Sequence, residues 1–169
     1  MPFSYYNKLS KAQQRIYDAS DEISSIRLPR PRRCYPLVEA VCQALAENKR
    51  GPLEKACRGL MREMLQQLQV CPLAITILSS RPHNNYGELH GLYERFDSPR
   101  RWPKMTLWMR TAKKKKVVAA KTFLRTFLHE LGHHLDFELL QLEDSYHTEG
   151  FYKRESSLFH QIKSGAVKS

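Results

Sequence analysis

The sequence predicts an α+β fold in a single domain, with helices at both ends and a small three- to four-stranded sheet between them. Three observations support this prediction. Apolar residues recur at helical spacing through the first 70 residues, short β-branched segments lie between residues 73 and 110, and a long apolar helical pattern starts near residue 117. The 169 residues match the usual size of one domain and can bury a core.

Residues 1–70 are expected to form a helical N-terminal part. A capping-box sequence at residues 10–13 begins the first helix, and its apolar spacing continues to Ile26 before prolines interrupt it. The second helix is predicted to begin near Pro36 and to stop within residues 48–51, with Gly51 as its terminator. A third helix with a continuous apolar stripe then opens at Pro52.

Strands are predicted after residue 71. Residues 73–78 are short and β-branched, residues 87–96 are a second candidate, and residues 105–110 show an alternating pattern. If this third strand lies at a sheet edge, its unpaired backbone groups can hold an extended peptide and form a substrate groove. The alternative is a half-buried strand with nothing docked.

The residues most indicative of chemistry are His129, Glu130 and His133, in the helical pattern that follows. Residues four apart share one helix face, so the two imidazoles can bind one ion. Zinc binds neutral imidazole readily, and catalytic zinc sites typically have three protein ligands and a water. Glu130 is not needed as a ligand and is placed to take a proton from that water. The surrounding apolar band predicts a buried helix, whose histidines need a partner such as Zn2+.

Three further residues of this helix bear on the site. Gly132 destabilises a helix interior by about 1 kcal/mol relative to alanine, which indicates a close approach by backbone or ligand. Asp136 shares a face with His129 and is a candidate to orient an imidazole. His134 points about 100° away from the two motif histidines, which predicts either a supporting position or a surface position.

The third zinc ligand is predicted to be His147. It follows a chain reversal and precedes a new helix, residues 149–162, which can return the side chain to the metal. Glu155, inside that helix, and Glu149 are the alternative third ligands. Proteases with a His-x-x-Gly-x-x-His pattern take their third ligand from further along the motif helix. In this chain Leu139 occupies the position of that histidine, so such a ligand is absent.

These residues resemble the metallopeptidase domain of SprT-like proteins, members of the small zincin class, and bacterial zincin-like proteins. The resemblance rests on the motif His-Glu-x-x-His, on His147 fourteen residues later, and on the aromatic Phe151. The chain departs from the family pattern because its glycine, Gly150, does not directly follow the histidine. The resemblance covers residues 86–160 and implies a zincin-like catalytic core within residues 71–163.

The resemblance implies hydrolysis of a peptide bond, with Zn2+ as cofactor and a protein or peptide as substrate. Glu130 would take the proton of the attacking water and return it to the leaving amine. A further donor should stabilise the oxyanion. Tyr146, Tyr152, Arg154 and His134 are the candidates for this role.

The net charge of +11 is concentrated in one segment. Residues 95–125 carry 11 basic side chains and one acidic side chain, whereas the rest of the chain carries 17 basic and 16 acidic ones. Such a field favours acidic partners such as nucleic acid, with Lys113, Lys114, Lys115 and Lys116 as candidate contacts. The alternative is a solvated loop. Together with the SprT resemblance, the charge suggests cleavage of proteins attached to DNA.

Two other functions are compatible with the sequence: a regulatory protease that cuts one repressor-type partner, and a non-catalytic module that binds nucleic acid. No apolar run is long enough to cross a membrane and no leader pattern is present, so we expect a cytoplasmic protein without membrane partners. None of the four cysteines shows Cys-x-x-Cys spacing, which predicts free thiols.

Overall fold

The structure is a computed structural model that describes residues 2–84, 87–88 and 90–167. It confirms the α+β class, with five α-helices and a three-stranded mixed sheet in this described part. The helices are α1 (Lys11–Asp21), α2 (Tyr35–Ala46), α3 (Arg50–Leu68), α4 (Ala120–Glu138) and α5 (Glu149–Ile162). The strands are β1 (Ala74–Ser80), β2 (His83–Asn84), β3 (Gly87–Glu88), β4 (Gly91–Glu94) and β5 (Lys104–Arg110).

Helix α1 begins as predicted but ends early. The Ser10 hydroxyl accepts the N–H of Gln13, and the Gln13 side chain accepts the N–H of Ser10, which completes the capping box. The helix ends at Asp21, so the prediction that its helical spacing reaches Ile26 is wrong. Ile26 is buried in the non-helical segment that follows. The Gln161 side chain of α5 donates to the Ile26 carbonyl and accepts the N–H of Leu28, so it bonds the backbone of this segment.

The boundary between α2 and α3 is made by Asn48. Its φ is 56°, and the next N–H, that of Lys49, bonds the carbonyl of Ala44 at 3.2 Å, as in a Schellman ending. Gly51 is the second residue of α3, so the predicted helix stop at this glycine is wrong. Asparagine can replace glycine here because its short polar side chain tolerates the left-handed region.

The main sheet has the order β1–β5–β4, with β1 parallel and β4 antiparallel to the central strand β5. All residues from Met105 to Met109 are buried. Residues 105–110 therefore do not lie at a sheet edge, so the condition for a substrate groove along this strand is not met. Strand β4 is the edge strand next to α4 in the described part of the chain. The predicted strand at residues 87–96 is divided between β3 and β4, and Leu89 lies outside the described residues.

A polar clamp joins α3 to the outer side of β1. Glu54 accepts the N–H of Ile77 at 2.9 Å, and Arg50 donates to the Ile77 carbonyl at 3.1 Å. Arg50 and Glu54 also pair with each other at 3.2 Å. The clamp therefore supplies hydrogen-bond partners for the backbone N–H and C=O groups of β1 at one residue, Ile77.

The end of α1 packs against the start of α5. The Gly150 N–H donates to the Asp21 carboxylate at 2.9 Å, and a Cβ at residue 150 would lie only 2.5 Å from the Asp21 carbonyl oxygen. Glycine is required here by this close helix contact. No helix of the described residues is both long and apolar enough to cross a membrane.

Candidate metal centre

Helix α4 carries His129 and His133 on one face, one turn apart. Their ring centroids are 5.1 Å apart and their ring planes lie at 86°. The rotation of the helix is fixed by a buried apolar band, which comprises Phe123, Leu124, Phe127, Leu128, Leu131 and Leu135. Because this band occupies the core, both imidazoles remain partly exposed.

The turn between α4 and α5 brings His147 to this pair. Gln141 adopts a φ of 57° at the chain reversal, and the Thr148 hydroxyl caps α5 by accepting the Phe151 N–H at 2.9 Å. Tyr5, in the N-terminal 3-10 turn Ser4–Lys8, donates to the His147 carbonyl at 2.9 Å. The backbone at His147 is thus held from both sides.

The Nε2 atoms of the three imidazoles converge. Nε2 of His147 lies 3.1 Å from Nε2 of His129 and 3.1 Å from Nε2 of His133. Within the described residues, these three histidines are the group whose ligand atoms all lie within 4.8 Å of one another. Zn–N bonds of about 2.0–2.1 Å in a tetrahedron separate two nitrogens by about 3.3 Å. The spacing therefore fits a zinc ion.

Hydrogen bonds determine which ring nitrogens of the helical pair carry protons. Nδ1 of His129 lies 2.9 Å from the Glu155 carboxylate, which can only accept from a ring N–H. Nδ1 of His133 lies 2.7 Å from the Ser145 hydroxyl, which donates its own proton to Asp136 at 2.7 Å and so must accept from the imidazole. In the neutral rings both Nε2 atoms therefore present lone pairs to the centre.

Desolvation favours the uncharged form of two of the three imidazoles, His133 and His147. Burial, with the neighbouring His129 and His147, lowers the pKa of His133 to about 3. Partial burial and His129 also lower the pKa of His147, although Glu155 opposes this. Neutral imidazole is the form that binds metal, so these lowered pKa values favour metal binding near neutral pH.

Glu130 lies between two clefts beside the histidines. It is 8% exposed and lines both a cavity of about 500 Å³, with His129 and Tyr152, and one of about 280 Å³, with His133. Burial raises its pKa to about 6. Gly91 of β4 borders both clefts, and a Cβ there would lie 2.9 Å from the Glu130 Cγ atom. A side chain at position 91 would therefore collide with the Glu130 side chain.

The glutamates predicted as alternative third ligands lie elsewhere. Glu155 accepts from Nδ1 of His129, which makes it a partner of a ligand, and Arg125 lies 3.9 Å from its other oxygen. Glu149 pairs with Lys153 at 3.1 Å. Asp136, predicted to orient an imidazole, reaches His133 through Ser145.

His134 is fully buried, so the surface position considered for it is wrong. Its Nε2 donates to the Cys71 carbonyl at 3.0 Å, which leaves Nδ1 to accept the Tyr93 hydroxyl at 2.9 Å. The Tyr93 ring in turn stacks on His133, with centroids 6.3 Å apart and planes at 23°. His134 therefore supports a ligand through Tyr93.

Four oxyanion donors were predicted, and His134 is one whose two ring nitrogens are already bonded to Cys71 and Tyr93. The other three differ in position. Tyr152 is 42% exposed, and its ring centroid lies 5.8 Å from that of His147. The Tyr146 hydroxyl is enclosed, and its ring packs towards Tyr17. Arg154 is 3% exposed and pairs with Asp136 at 3.0 Å, which places its guanidinium in the interior and argues against the oxyanion role.

Three supporting residues were not predicted from the sequence in these roles: Ser145, Tyr93 and Phe151. The Phe151 ring lies 4.9 Å from the His133 ring and explains the close approach indicated by Gly132, whose added Cβ would meet it at 3.0 Å. Phe151 has the family spacing, which could have suggested this contact. Ser145 and Tyr93 show no periodic signal because their roles depend on long-range packing.

The basic segment is divided between paired and exposed side chains. Lys113, Lys114, Lys115 and Lys116 are all exposed on the turn after β5. In contrast, Arg95 lies 4.0 Å over the Phe137 ring, and the Arg110 side chain bonds Asn48. The four lysines are therefore the freely presented part of the predicted nucleic-acid contact.

Compared with protein-family models, with curated proteins and with solved structures, the chain matches none.

Proposed function

We propose that this chain is a zinc-dependent metallopeptidase with a zincin-like core. The observation that carries the proposal is the convergence of three Nε2 atoms, two of which are left as bare lone pairs because their rings donate Nδ1–H elsewhere. Two lone pairs that converge with a third ring nitrogen form a donor set that a metal cation can bind. Three imidazoles with an exposed side at His147 match catalytic zinc better than closed structural zinc.

In this proposal His129, His133 and His147 hold Zn2+, which when bound lowers the pKa of a water molecule and polarises a carbonyl. Glu130 takes a proton from the attacking water on a carboxylate oxygen and delivers it to the nitrogen of the leaving amine. Its position between two clefts supports this role, since water and substrate can approach from both sides.

The substrate form that we infer is an extended peptide. Strand β4 is the sheet edge nearest to Glu130, and Gly91 at its start borders both clefts. A peptide that pairs with β4 would run past the carboxylate and the three imidazoles. The exposed Tyr152 hydroxyl supports a contact with the reacting carbonyl.

Cleavage of proteins attached to DNA is the finer part of the proposal. It is supported by the exposed lysines of the turn after β5 and by the +10 charge of residues 95–125. A regulatory protease for one repressor-type partner would use the same centre without a requirement for DNA.

The test combines zinc content per chain with cleavage of fluorescein-labelled casein, with and without double-stranded DNA. We expect one zinc per wild-type chain and cleavage that DNA increases. Glu130→Gln should keep the zinc and lose at least about 100-fold in cleavage rate, because the general base is removed. His147→Ala should lose the zinc as well.

His160→Ala is the matched control, because this exposed histidine lies outside the metal centre on α5. It should keep both zinc and cleavage. A wild-type protein that binds no zinc, or a Glu130→Gln protein that cleaves as fast as wild type, would contradict the proposal. Cleavage that DNA leaves unchanged would contradict only its DNA part.

A further inference from the structure

A further cavity, separate from the two clefts beside Glu130, lies at the β1 edge of the main sheet, opposite to the β4 edge. It is bounded by α3, by the segment that leads into β1, and by the loop before β5, and it has a volume of about 410 Å³. Such a volume is in the range of small-ligand and peptide side-chain sites. Its apolar lining includes Met61, Leu65, Val70, Leu73, Ile75 and Trp102.

The rim of this cavity is positively charged. Arg58 and Arg62 on α3 are both exposed and line it, and Arg58 also pairs with Glu54 at 3.2 Å. The residues that line the cavity in the described chain include no carboxylate. Trp102 is 59% exposed, far more than Trp108 in β5 at 7%. An exposed indole over an aliphatic floor is a typical feature of protein contact sites.

The wall formed by β1 offers backbone hydrogen-bonding groups. Ala74 uses its N–H for the Pro103 carbonyl on the β5 side, so alternation along the strand directs the backbone of Ile75 outward. The same alternation directs Ile77 outward, where Glu54 and Arg50 clamp it. No such clamp covers Ile75 among the described residues, and Ile75 borders the cavity.

We propose that this groove binds an extended peptide segment in which apolar side chains alternate with Asp or Glu. The apolar side chains would enter the aliphatic floor and the peptide backbone would pair with Ile75. One carboxylate would pair with Arg62, and another would compete with Glu54 for Arg58. A single-stranded nucleic acid fits less well, because Trp102 is the one aromatic residue in the lining and nucleobases bind on stacking platforms. The groove lacks the three histidines and does not depend on the proposed zinc site.

The test is fluorescence anisotropy with a fluorescein-labelled nonapeptide in which Asp or Glu alternates with Val or Leu. Wild-type protein should bind it, and mass spectrometry afterwards checks that the probe is intact. Arg62→Glu and Trp102→Ala should each weaken binding by about tenfold or more, because they remove a charge partner and an apolar anchor. N-methylation of alternate peptide amides should also weaken binding, since it blocks strand pairing.

Arg15→Glu is the matched control for Arg62→Glu, because it makes the same charge change at an exposed site on α1. It should change the affinity by less than about twofold. Equal weakening by Arg15→Glu, equal binding of a peptide with Lys in place of Asp and Glu, or no binding by wild type would overturn the inference. Displacement of the peptide by a nine-nucleotide oligothymidylate would likewise overturn it in favour of nucleic acid.

Discussion

The orientation of His133 depends on one hydroxyl group, that of Ser145. This hydroxyl accepts from Nδ1 of the imidazole and donates to Asp136, which is held in turn by Arg154. A buried carboxylate therefore acts on a proposed metal ligand, His133, through a serine. Partners of this kind fix the tautomer of a ligand and raise its basicity.

Replacing Ser145 by alanine should weaken zinc binding by about 10- to 100-fold, because His133 loses the acceptor that fixes its tautomer. The measurement is competition for zinc with a chromogenic chelator. Ser156→Ala, a half-buried serine on α5, is the control and should bind zinc as wild type does. An unchanged affinity in the Ser145→Ala protein would show that Asp136 does not act on the ligand.

Gly91 determines whether the Glu130 side chain has room. A Cβ at residue 91 would lie 2.9 Å from both the Glu130 Cγ atom and the Thr126 methyl group. We expect Gly91→Ala to displace the carboxylate and to reduce casein cleavage by about 10- to 100-fold, since small displacements of catalytic groups have effects of this size.

The zinc content of the Gly91→Ala protein should stay at the wild-type value, because the atoms nearest to a Cβ at residue 91 belong to Glu130 and Thr126 and not to the three proposed ligands. Gly165→Ala is a matched control, since a Cβ there meets nothing within 4 Å. Equal loss of zinc and cleavage in Gly91→Ala would indicate general damage to the fold and would contradict this reading.

Between elements, the clamp from α3 to β1 is the clearest ionic link. The Ile77 N–H donates to Glu54, and Arg58 and Arg50 lie beside its carboxylate, so the pKa of Glu54 is lowered from its ordinary value. A lowered folded-state pKa stabilises the fold above the pKa of the unfolded chain. That stabilisation is lost as the pH falls through the folded-state pKa.

Replacing Glu54 by glutamine should therefore lower the free energy of unfolding by about 1 kcal/mol near neutral pH, a value reduced for the partial exposure of the side chain. The difference from wild type should shrink as the pH falls below the ordinary glutamate pKa. Urea unfolding of both proteins in metal-free form measures this. A difference that is independent of pH would refute the ionic role of the clamp.

For the molecule as a whole, the proposed metal centre joins two parts of the chain. His129 and His133 belong to α4, whereas His147 lies just before α5, which also packs on α1 through Gly150. A cation held by all three would link these helices. It would bind the folded chain better than the unfolded one and so stabilise it.

Removal of zinc with a chelator should lower the melting temperature. Free zinc at 100 times its dissociation constant adds about 2.7 kcal/mol, which corresponds to about 5–10 °C for a domain of this size. Differential scanning calorimetry measures the shift, and His147→Ala should melt at one temperature with or without zinc. An identical melting temperature for wild type with and without zinc would contradict the proposed centre.

Features carried by neighbouring residues could be predicted well. The capping box at Ser10, the extent of α5 and the shared face of His129 and His133 all follow from short-range geometry. The early end of α1, the use of Asn48 instead of a glycine to end α2, and the central position of β5 could not be predicted. Two of them depend on partners distant in sequence, and the bond of Gln161 to the Ile26 carbonyl is the clearest example. The end of α2 depends on a left-handed turn that either asparagine or glycine can make.

The sequence by itself determined the α+β class, the motif on α4 and the choice of His147 as the candidate to meet it, because helical periodicity and ligand chemistry act over a few residues. Only the tertiary structure decided which groups surround the point where the three imidazoles converge. Ser145, Tyr93 and Glu155 become partners of the histidines, and β4 becomes the edge beside Glu130, through packing between segments far apart in the chain. Such packing depends on the summed burial of many side chains, which no local pattern records.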